Sequence, residues 1–354
     1  MLQSVLVAFG LADDVIKIQP FGSGLINHTW KISNKDEQYI LQRINHQVFT
    51  DPGAIAANIE MIAGYLSNKH PDYLFAAPLK TAGGQTLYHD RDEGYFRLFP
   101  FVKNSFTKDV VDNAAEAFEA AKQFGRFTSL LNNFDSSRLK TTIPHFHNLF
   151  LRYNQFLEAV ANGNKQRINE AKEIISKLIS FSGIVDTYEE ILQSTGFKKR
   201  VTHHDTKISN VLFDKYGKGL CVIDLDTIMP GYFISDVGDM MRTYLSPVSE
   251  EEKDFSKIEI RTDIYRAVVD GYYSEMKVVL TSVEKRHFFY AGKFMIYMQA
   301  LRFMTDYLKN DIYYGEKYPG HNFVRAGNQL TLLEKLLEKE AELSVWQQHQ
   351  NASL

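Results

Sequence analysis

Val201-Thr202-His203-His204-Asp205-Thr206-Lys207-Ile208-Ser209-Asn210-Val211-Leu212-Phe213 is the stretch on which the reading of this chain turns. It sets an Asp five residues before an Asn and then runs into a short apolar strand. A second apolar strand, Leu220-Cys221-Val222-Ile223, follows the turn Lys215-Tyr216-Gly217-Lys218-Gly219, and the two strands suit a hairpin. The hairpin delivers Asp224, fourteen residues after Asn210, in Val222-Ile223-Asp224-Leu225-Asp226. The loop places Asp205 and Asn210 near one another, and the hairpin brings Asp224 back beside them.

These parts suit phosphoryl transfer from a nucleotide. One carboxylate must orient the attacking hydroxyl and take its proton, and an amide oxygen and a second carboxylate must hold magnesium on the phosphates. Asp205 fits the first task, Asn210 and Asp224 the second. Oxygen ligands without thiolates suit magnesium. A different chemistry competes for the same residues. His203 and His204 with Asp205 and Asp224 would serve a metal-dependent phosphate or sulfate ester hydrolase. Asp226 either contacts the metal site or caps the segment that follows it. Asp236 and Asp239 are read as anchors that accept backbone hydrogen bonds from the loop.

Outward from this stretch, residues 1 to about 100 read as β-rich. Val15-Ile16-Lys17-Ile18, Thr29-Trp30-Lys31-Ile32 and Tyr39-Ile40-Leu41-Gln42-Arg43-Ile44 are strands separated by turns. Asp51-Pro52 starts a helix, with Ile55, Ile59, Ile62 and Leu66 at helical spacing. Strands follow at Gln85-Thr86-Leu87-Tyr88 and Gly94-Tyr95-Phe96-Arg97-Leu98-Phe99. Beyond Pro100 the pattern is helical at 112–133, 145–162, 165–182 and 184–195, and again from Asp236 to the end. The expected fold class is α+β with two lobes. Residues 1–100 form a β-rich N-terminal lobe and residues 101–354 a larger helical C-terminal lobe, with a hinge near 99–104.

Composition narrows the function. The 354 residues are 44% hydrophobic and 23% charged, ordinary for a folded protein with a sizeable core. A formal net charge of −3 argues against a dedicated nucleic-acid binder. The single cysteine, Cys221, excludes an intrachain disulfide and reads as inert core. No apolar run approaches a membrane span and the N-terminus has no signal-peptide pattern, so the expected location is the cytoplasm, away from membranes.

The ordered motifs resemble a known family. H-x-D-x-x-x-x-N followed by I-D-x-[DE] is similar to the aminoglycoside phosphotransferase and choline kinase superfamily, a branch of the protein-kinase-like fold. His204-Asp205-Thr206-Lys207-Ile208-Ser209-Asn210-Val211, Val222-Ile223-Asp224-Leu225-Asp226-Thr227-Ile228-Met229-Pro230-Gly231 and Asp236-Val237-Gly238-Asp239-Met240-Met241-Arg242 resemble its N-acetylhexosamine 1-kinase branch. Leu41-Gln42-Arg43-Ile44-Asn45 and Val48-Phe49 extend the match, which covers roughly residues 20 to 330.

The resemblance implies ATP and Mg2+ as cofactors and a small-molecule hydroxyl acceptor, an amino sugar phosphorylated at its anomeric hydroxyl. Aminoglycoside, choline and homoserine are the alternative acceptors on the same fold. It implies a nucleotide-covering loop at Gly22-Ser23-Gly24, with Gly22, Gly24, Asn27 and Thr29 near the phosphates. The same glycines also suit a plain turn. It implies a third-strand cation for the phosphates, for which Arg43 is favoured over the Gln42 slot, paired with Glu60 on the helix. It implies a hinge in which Phe99 and Phe101 lie beside the adenine, while Phe96 is core. On the acceptor side, Arg302 and Asp306 share a helix face at i, i+4, as a surface ion pair or as part of a sugar-binding wall. His204 and Tyr314 join that wall, with Tyr313, His321 and Trp346 as further neighbours.

Overall fold

The computed structural model describes residues 2–11, 17–22, 26–35 and 37–344. The N-terminal strands form one antiparallel sheet from β1 (Lys17–Pro20), β2 (His28–Ser33), β3 (Gln38–Ile44), β4 (Tyr88–Asp90) and β5 (Gly94–Pro100). Their order across the sheet is β1-β2-β3-β5-β4. The two-residue period of a strand divides its side chains between two faces. Ile32, Leu41, Phe96 and Leu98 share one face and form a small core with Val5 and Leu6 of the helix Gln3–Ala8. That helix lies in a region the sequence pattern assigns to strands. The opposite face carries Thr29, Gln42 and Arg97, joined to one another by side-chain hydrogen bonds.

The helix Pro52–Lys69 starts where expected, because Asp51 accepts a hydrogen bond from the Ala54 N–H at 2.9 Å. Its buried Asn58 ties it to the rest of the chain. The Asn58 amide donates to the carbonyls of Lys140 and Ile228 at 2.8 and 3.0 Å and accepts from the Lys140 N–H at 2.8 Å.

Beyond Pro100 the chain is mostly helical and holds the larger core. β8 (Val211–Asp214) and β9 (Gly219–Val222) form the expected hairpin, and β6 (Ser105–Phe106) pairs with β8. β7 (Arg200–Thr202) pairs with β10 (Met229–Gly231). Two helical expectations need correction. The segment 165–182 is two helices, Lys165–Glu170 and Lys172–Ser180, broken at Ala171. After the helix Phe233–Tyr244 the chain is irregular up to the helix Thr262–Met276, apart from a short 3-10 turn at Phe255–Lys257. The helix Phe288–Leu308 is buried on nearly every side, and only Lys293, Arg302 and Thr305 escape full burial. Such an all-round apolar helix belongs inside a core. Among the described residues no helix is long and apolar enough to cross a membrane.

The helices Ala114–Leu130 and Thr262–Met276 pack backbone to backbone. A Cβ at Gly271 would sit 2.3 Å from the Phe118 carbonyl oxygen, and one at Gly125 2.8 Å from that of Tyr272. Neither neighbour can yield without moving a helix. Gly271→Ala is therefore expected to destabilise the protein by about 1–3 kcal/mol, the usual cost of overpacking. Denaturant unfolding of the variant checks this, against Gly64→Ala, where an added Cβ meets nothing within 4 Å.

Candidate active site

β7 ends in a loop that is irregular yet almost fully hydrogen-bonded. The His203 and His204 N–H groups donate to the two carboxylate oxygens of Asp236 at 3.1 and 2.8 Å. The Thr206 N–H donates to Asp239 at 2.8 Å. Thr227 Oγ1 donates to the His203 carbonyl at 2.6 Å, and the Tyr244 hydroxyl to that of Thr206 at 2.7 Å. Asp236 and Asp239 thus take the anchoring places that the sequence suggests. Burial pushes the Asp236 carboxyl up to about 7, against the two N–H bonds that favour its charge.

The loop holds Asp205 at its tip. The Asn210 amide Nδ2 donates to the Asp205 carbonyl at 2.9 Å and to its carboxylate at 3.1 Å. That commitment leaves the Asn210 Oδ1 as the amide atom that could hold a cation. The Ile223 N–H donates to the Asn210 carbonyl at 2.9 Å, so the hairpin brings Asp224 out beside Asn210. Asp224 has φ +60°, a left-handed conformation unusual for a non-glycine residue. Enclosure by protein pushes its carboxyl up to about 7, and the Asp226 and Asp205 carboxylates add to the shift. An exposed edge still opens on the cleft. The oxygen donors of Asn210 and Asp224 fit a hard cation such as magnesium.

Sequence reading missed Lys207, whose ammonium lies 3.2 Å from the Asp205 carboxylate. Burial alone would lower its pKa, but the Asp205, Asp239 and Asp224 carboxylates outweigh this and keep it charged. Its signal was plain: a Lys two residues after the Asp, inside the quoted stretch.

His203 and His204 do not face a metal. The His203 Nε2 bonds the Ile223 carbonyl at 2.9 Å, and the ring lies edge-on to Phe124. The Thr202 hydroxyl donates to the Met229 carbonyl, so it accepts from His204 Nε2–H at 2.7 Å. The His204 Nδ1 then accepts from His147 Nδ1–H at 3.3 Å. Burial pushes the His204 imidazole down to about 3, so it is neutral. His204 is therefore enclosed and positions the loop from within, rather than standing open in the acceptor wall. Among the described residues no three His, Cys, Asp or Glu side chains converge as a metal-holding group, and the hydrolase reading loses its ligand pair.

On the sheet side the expected cation is displaced. β3 presents Gln42 to the cleft, and Arg43, one residue on, turns to the other face and pairs with Glu93 at 3.0 Å. Glu60 is exposed, and the inward polar group of its helix is Asn58. Arg97 on β5, opposite Gln42, holds the inward place instead. Asn27 bridges: its Nδ2 donates to Asp226 at 2.8 Å, and its Oδ1 accepts from the Asn45 N–H at 3.0 Å. Asp226 is thus held by sheet-side groups, Asn27 and Arg97. Thr29 accepts from Gln42 Nε2 at 3.3 Å. Phe99 lies beside Arg97, whereas Phe101 packs under Lys31 and against Phe21, with its N–H donated to the Gln38 carbonyl. Gly22 has φ +79° with open space around it, so conformation alone explains the glycine there. Gly24 and Trp346 lie outside the described residues.

On the acceptor side, the Arg302 guanidinium carbon lies 5.8, 5.9 and 5.4 Å from the rings of Phe146, Tyr313 and Tyr314. Asp306 does not pair with it. The Asp306 carboxylate is buried and accepts the Tyr313 and Tyr314 N–H groups at 2.8 Å each, fixing the turn that carries those rings. His321 is buried against Glu251, at 2.6 Å. Phe146 was not expected here, nor were His147 and Arg152, which complete this side and on both of which the Arg302 charge acts. Among the described residues neither Arg152 nor Arg302 has a carboxylate partner; they bond Gln155 at 3.0 Å and Gln299 at 3.2 Å.

These placements predict unequal costs. Asp236→Ala strands two buried N–H groups, each worth about 1–3 kcal/mol unpaired, and should destabilise the protein by about 2–5 kcal/mol. Arg43→Ala removes a partly exposed pair and should cost under about 1 kcal/mol. Urea unfolding of the two variants measures both.

The sequence profile of the phosphotransferase enzyme family matches residues 17–255. Solved structures agree in fold. An aminoglycoside phosphotransferase from Alicyclobacillus acidocaldarius superposes with a TM-score of 0.63 at 12% identity, covering 100% of this chain and 97% of that one. The amicoumacin kinase hAmiN, in complex with AMP-PNP, Ca2+ and Ami, gives 0.62 at 13%, covering 94% and 92%. A choline kinase from Cryptosporidium parvum gives 0.58 at 15%, covering 98% of each chain. With two lobes of kinase-like topology and a family match over most of its length, the chain belongs to the phosphotransferase enzyme family.

Proposed function

We propose that the protein is an ATP-dependent, magnesium-requiring kinase that phosphorylates the anomeric hydroxyl of an N-acetylhexosamine or a related sugar. The observation that carries the choice of acceptor is the pair Arg152 and Arg302, neither with a carboxylate partner among the described residues, beside the rings of Phe146 and Tyr314. A cationic acceptor such as choline or an aminoglycoside needs aromatic or acidic surroundings. Set beside two unneutralised arginines it would meet like-charge repulsion of several kcal/mol. A neutral sugar instead offers hydroxyl and acetamide oxygens to the guanidinium forks and a ring face to the aromatics.

In this reading residues 1–100 cover the nucleotide and residues 101–354 carry the catalytic groups and the acceptor. The nucleotide lies between the cleft face of the sheet and the turn bearing Asp224. The complex of the related-fold amicoumacin kinase with AMP-PNP and Ca2+ supports a metal–nucleotide in such a cleft. Asp205 orients the acceptor hydroxyl and takes its proton. Lys207, beside it, presents a positive charge to the phosphoryl group in flight. Asn210 and Asp224 would hold magnesium. When bound, the metal neutralises charge on the phosphate oxygens.

The test is ATP consumption across N-acetylhexosamines, neutral hexoses, choline, homoserine and aminoglycosides, with phosphorus NMR of each product. An anomeric sugar phosphate is the expected product. Turnover confined to choline or an aminoglycoside would sink the reading. Within it, Asp205→Asn should lower kcat on the order of 10²- to 10⁴-fold while nucleotide binding persists. Arg302→Lys should raise the acceptor KM by roughly tenfold, the worth of one directed bond, with the ATP KM unchanged in steady-state assays.

A further inference from the structure

A nucleotide cleft of this kind needs a cation on the sheet to meet the phosphates, and β3 supplies none. Arg43 faces away, and Gln42 stands in its stead. The helix Pro52–Lys69 supplies no inward carboxylate to pair with such a cation, since Glu60 is exposed. Both missing parts are present elsewhere. Arg97 lies directly across from Gln42 on β5, with its side chain 3% exposed. Its Nε and Nη2 both donate to Gln42 Oε1, at 3.1 and 2.9 Å, and its Nη1 pairs with the Asp226 carboxylate. Those contacts engage three of its nitrogens and leave further N–H bonds on the two terminal ones. Asp226 is 1% exposed, and its other oxygen is held by Asn27 at 2.8 Å. A buried cation–carboxylate pair therefore joins the sheet to the turn that carries Asp224, two residues away. Among the described residues the sheet's other cations on this face are Lys31, which lies 3.8 Å over the Phe101 ring beyond the hinge end of β5, and Lys17, which stands opposite Ser33 on the edge strand β1.

We propose that Arg97 is the sheet's phosphate-binding cation, with Asp226 as its counter-ion and Gln42 as the amide that aims it. The strand cation and helix glutamate that protein kinases use are replaced here by a cation from the neighbouring strand and a carboxylate from the metal-bearing turn. One planar guanidinium can keep its two bonds to Gln42 and still offer a phosphate oxygen a directed donor, which an ammonium cannot do. The inference rests on the nucleotide reading above.

Calorimetric titration with ADP and with adenosine separates the possibilities, because only ADP carries phosphates. Arg97→Met should weaken ADP binding roughly 10- to 100-fold, as expected for hydrogen bonds to a charged group, and leave adenosine within about twofold. Arg97→Lys keeps the charge but loses the fork, and should show a smaller loss, again confined to ADP. Moving the cation back to β3, in the double variant Gln42→Lys/Arg97→Met, should recover part of the ADP affinity. Equal losses for ADP and adenosine would show that Arg97 only shapes the cleft, and would overturn the assignment. Unchanged ADP affinity in Arg97→Met would also overturn it. A wild-type protein that binds neither ligand would overturn the nucleotide reading itself. Should Arg97→Met fail to show a folded circular dichroism spectrum, the Arg97→Lys comparison of the two ligands decides the question alone.

Discussion

The carboxylate of Asp236, shared between the His203 and His204 N–H groups, is the contact on which the rest of the site depends. A loop without regular structure has no ladder to satisfy its backbone, and buried backbone groups without partners are expensive. The helix Phe233–Tyr244 answers this with Asp236 and Asp239, three residues apart and so on one helical face. Tyr244 and Thr227 close the remaining carbonyls. Only because the backbone is held from behind can Asp205 project forward with its carboxylate partly exposed. The positive φ of His204 and Asp224 belongs to the same arrangement, since both sit where the chain must turn sharply to present a side chain.

Charge is partitioned around this loop. Asp205, Asp224, Asp226 and Asp239 form an acidic centre whose mutual repulsion helps to raise the Asp224 and Asp239 pKa values once burial has done so. Arg97 bounds that centre on the sheet side and Arg242 on the helical side. Arg152 and Arg302 lie apart from it, and among the described residues neither has a carboxylate partner. The acidic centre and the arginine pair thus give the site two regions of opposite charge.

The order of the candidate site was legible because its parts are local. Asp205 and Asn210 share one loop, and Asp224 follows at the end of a hairpin whose turn chemistry is explicit. The facing of Arg43 was not legible, for a physical reason. Tyr39, Ile40 and Leu41 are apolar on both sides of β3, so the strand shows no alternation from which to read its facing. The faces are decided by the helix Gln3–Ala8 covering Leu41, a long-range fact. Arg97 did leave a trace, as an arginine amid Tyr95, Phe96, Leu98 and Phe99. Asp306 was misread because its partners are backbone N–H groups seven and eight residues on, outside any helix periodicity. Arg302 gave a better signal than its spacing to Asp306, as a charge in an otherwise apolar helix.

The anchoring of the loop that carries Asp205 by residues further along the chain has a consequence for the order of assembly. During synthesis the segment 203–206 emerges before Asp236, Asp239 and Tyr244, whose side chains hold it. Until the helix Phe233–Tyr244 docks, the loop has only water to bind, and Asp205 has no fixed direction. The site therefore arises late and all at once. The His203, His204 and Thr206 amides, though they lie in an irregular segment, are protected from solvent exchange by side chains of that helix.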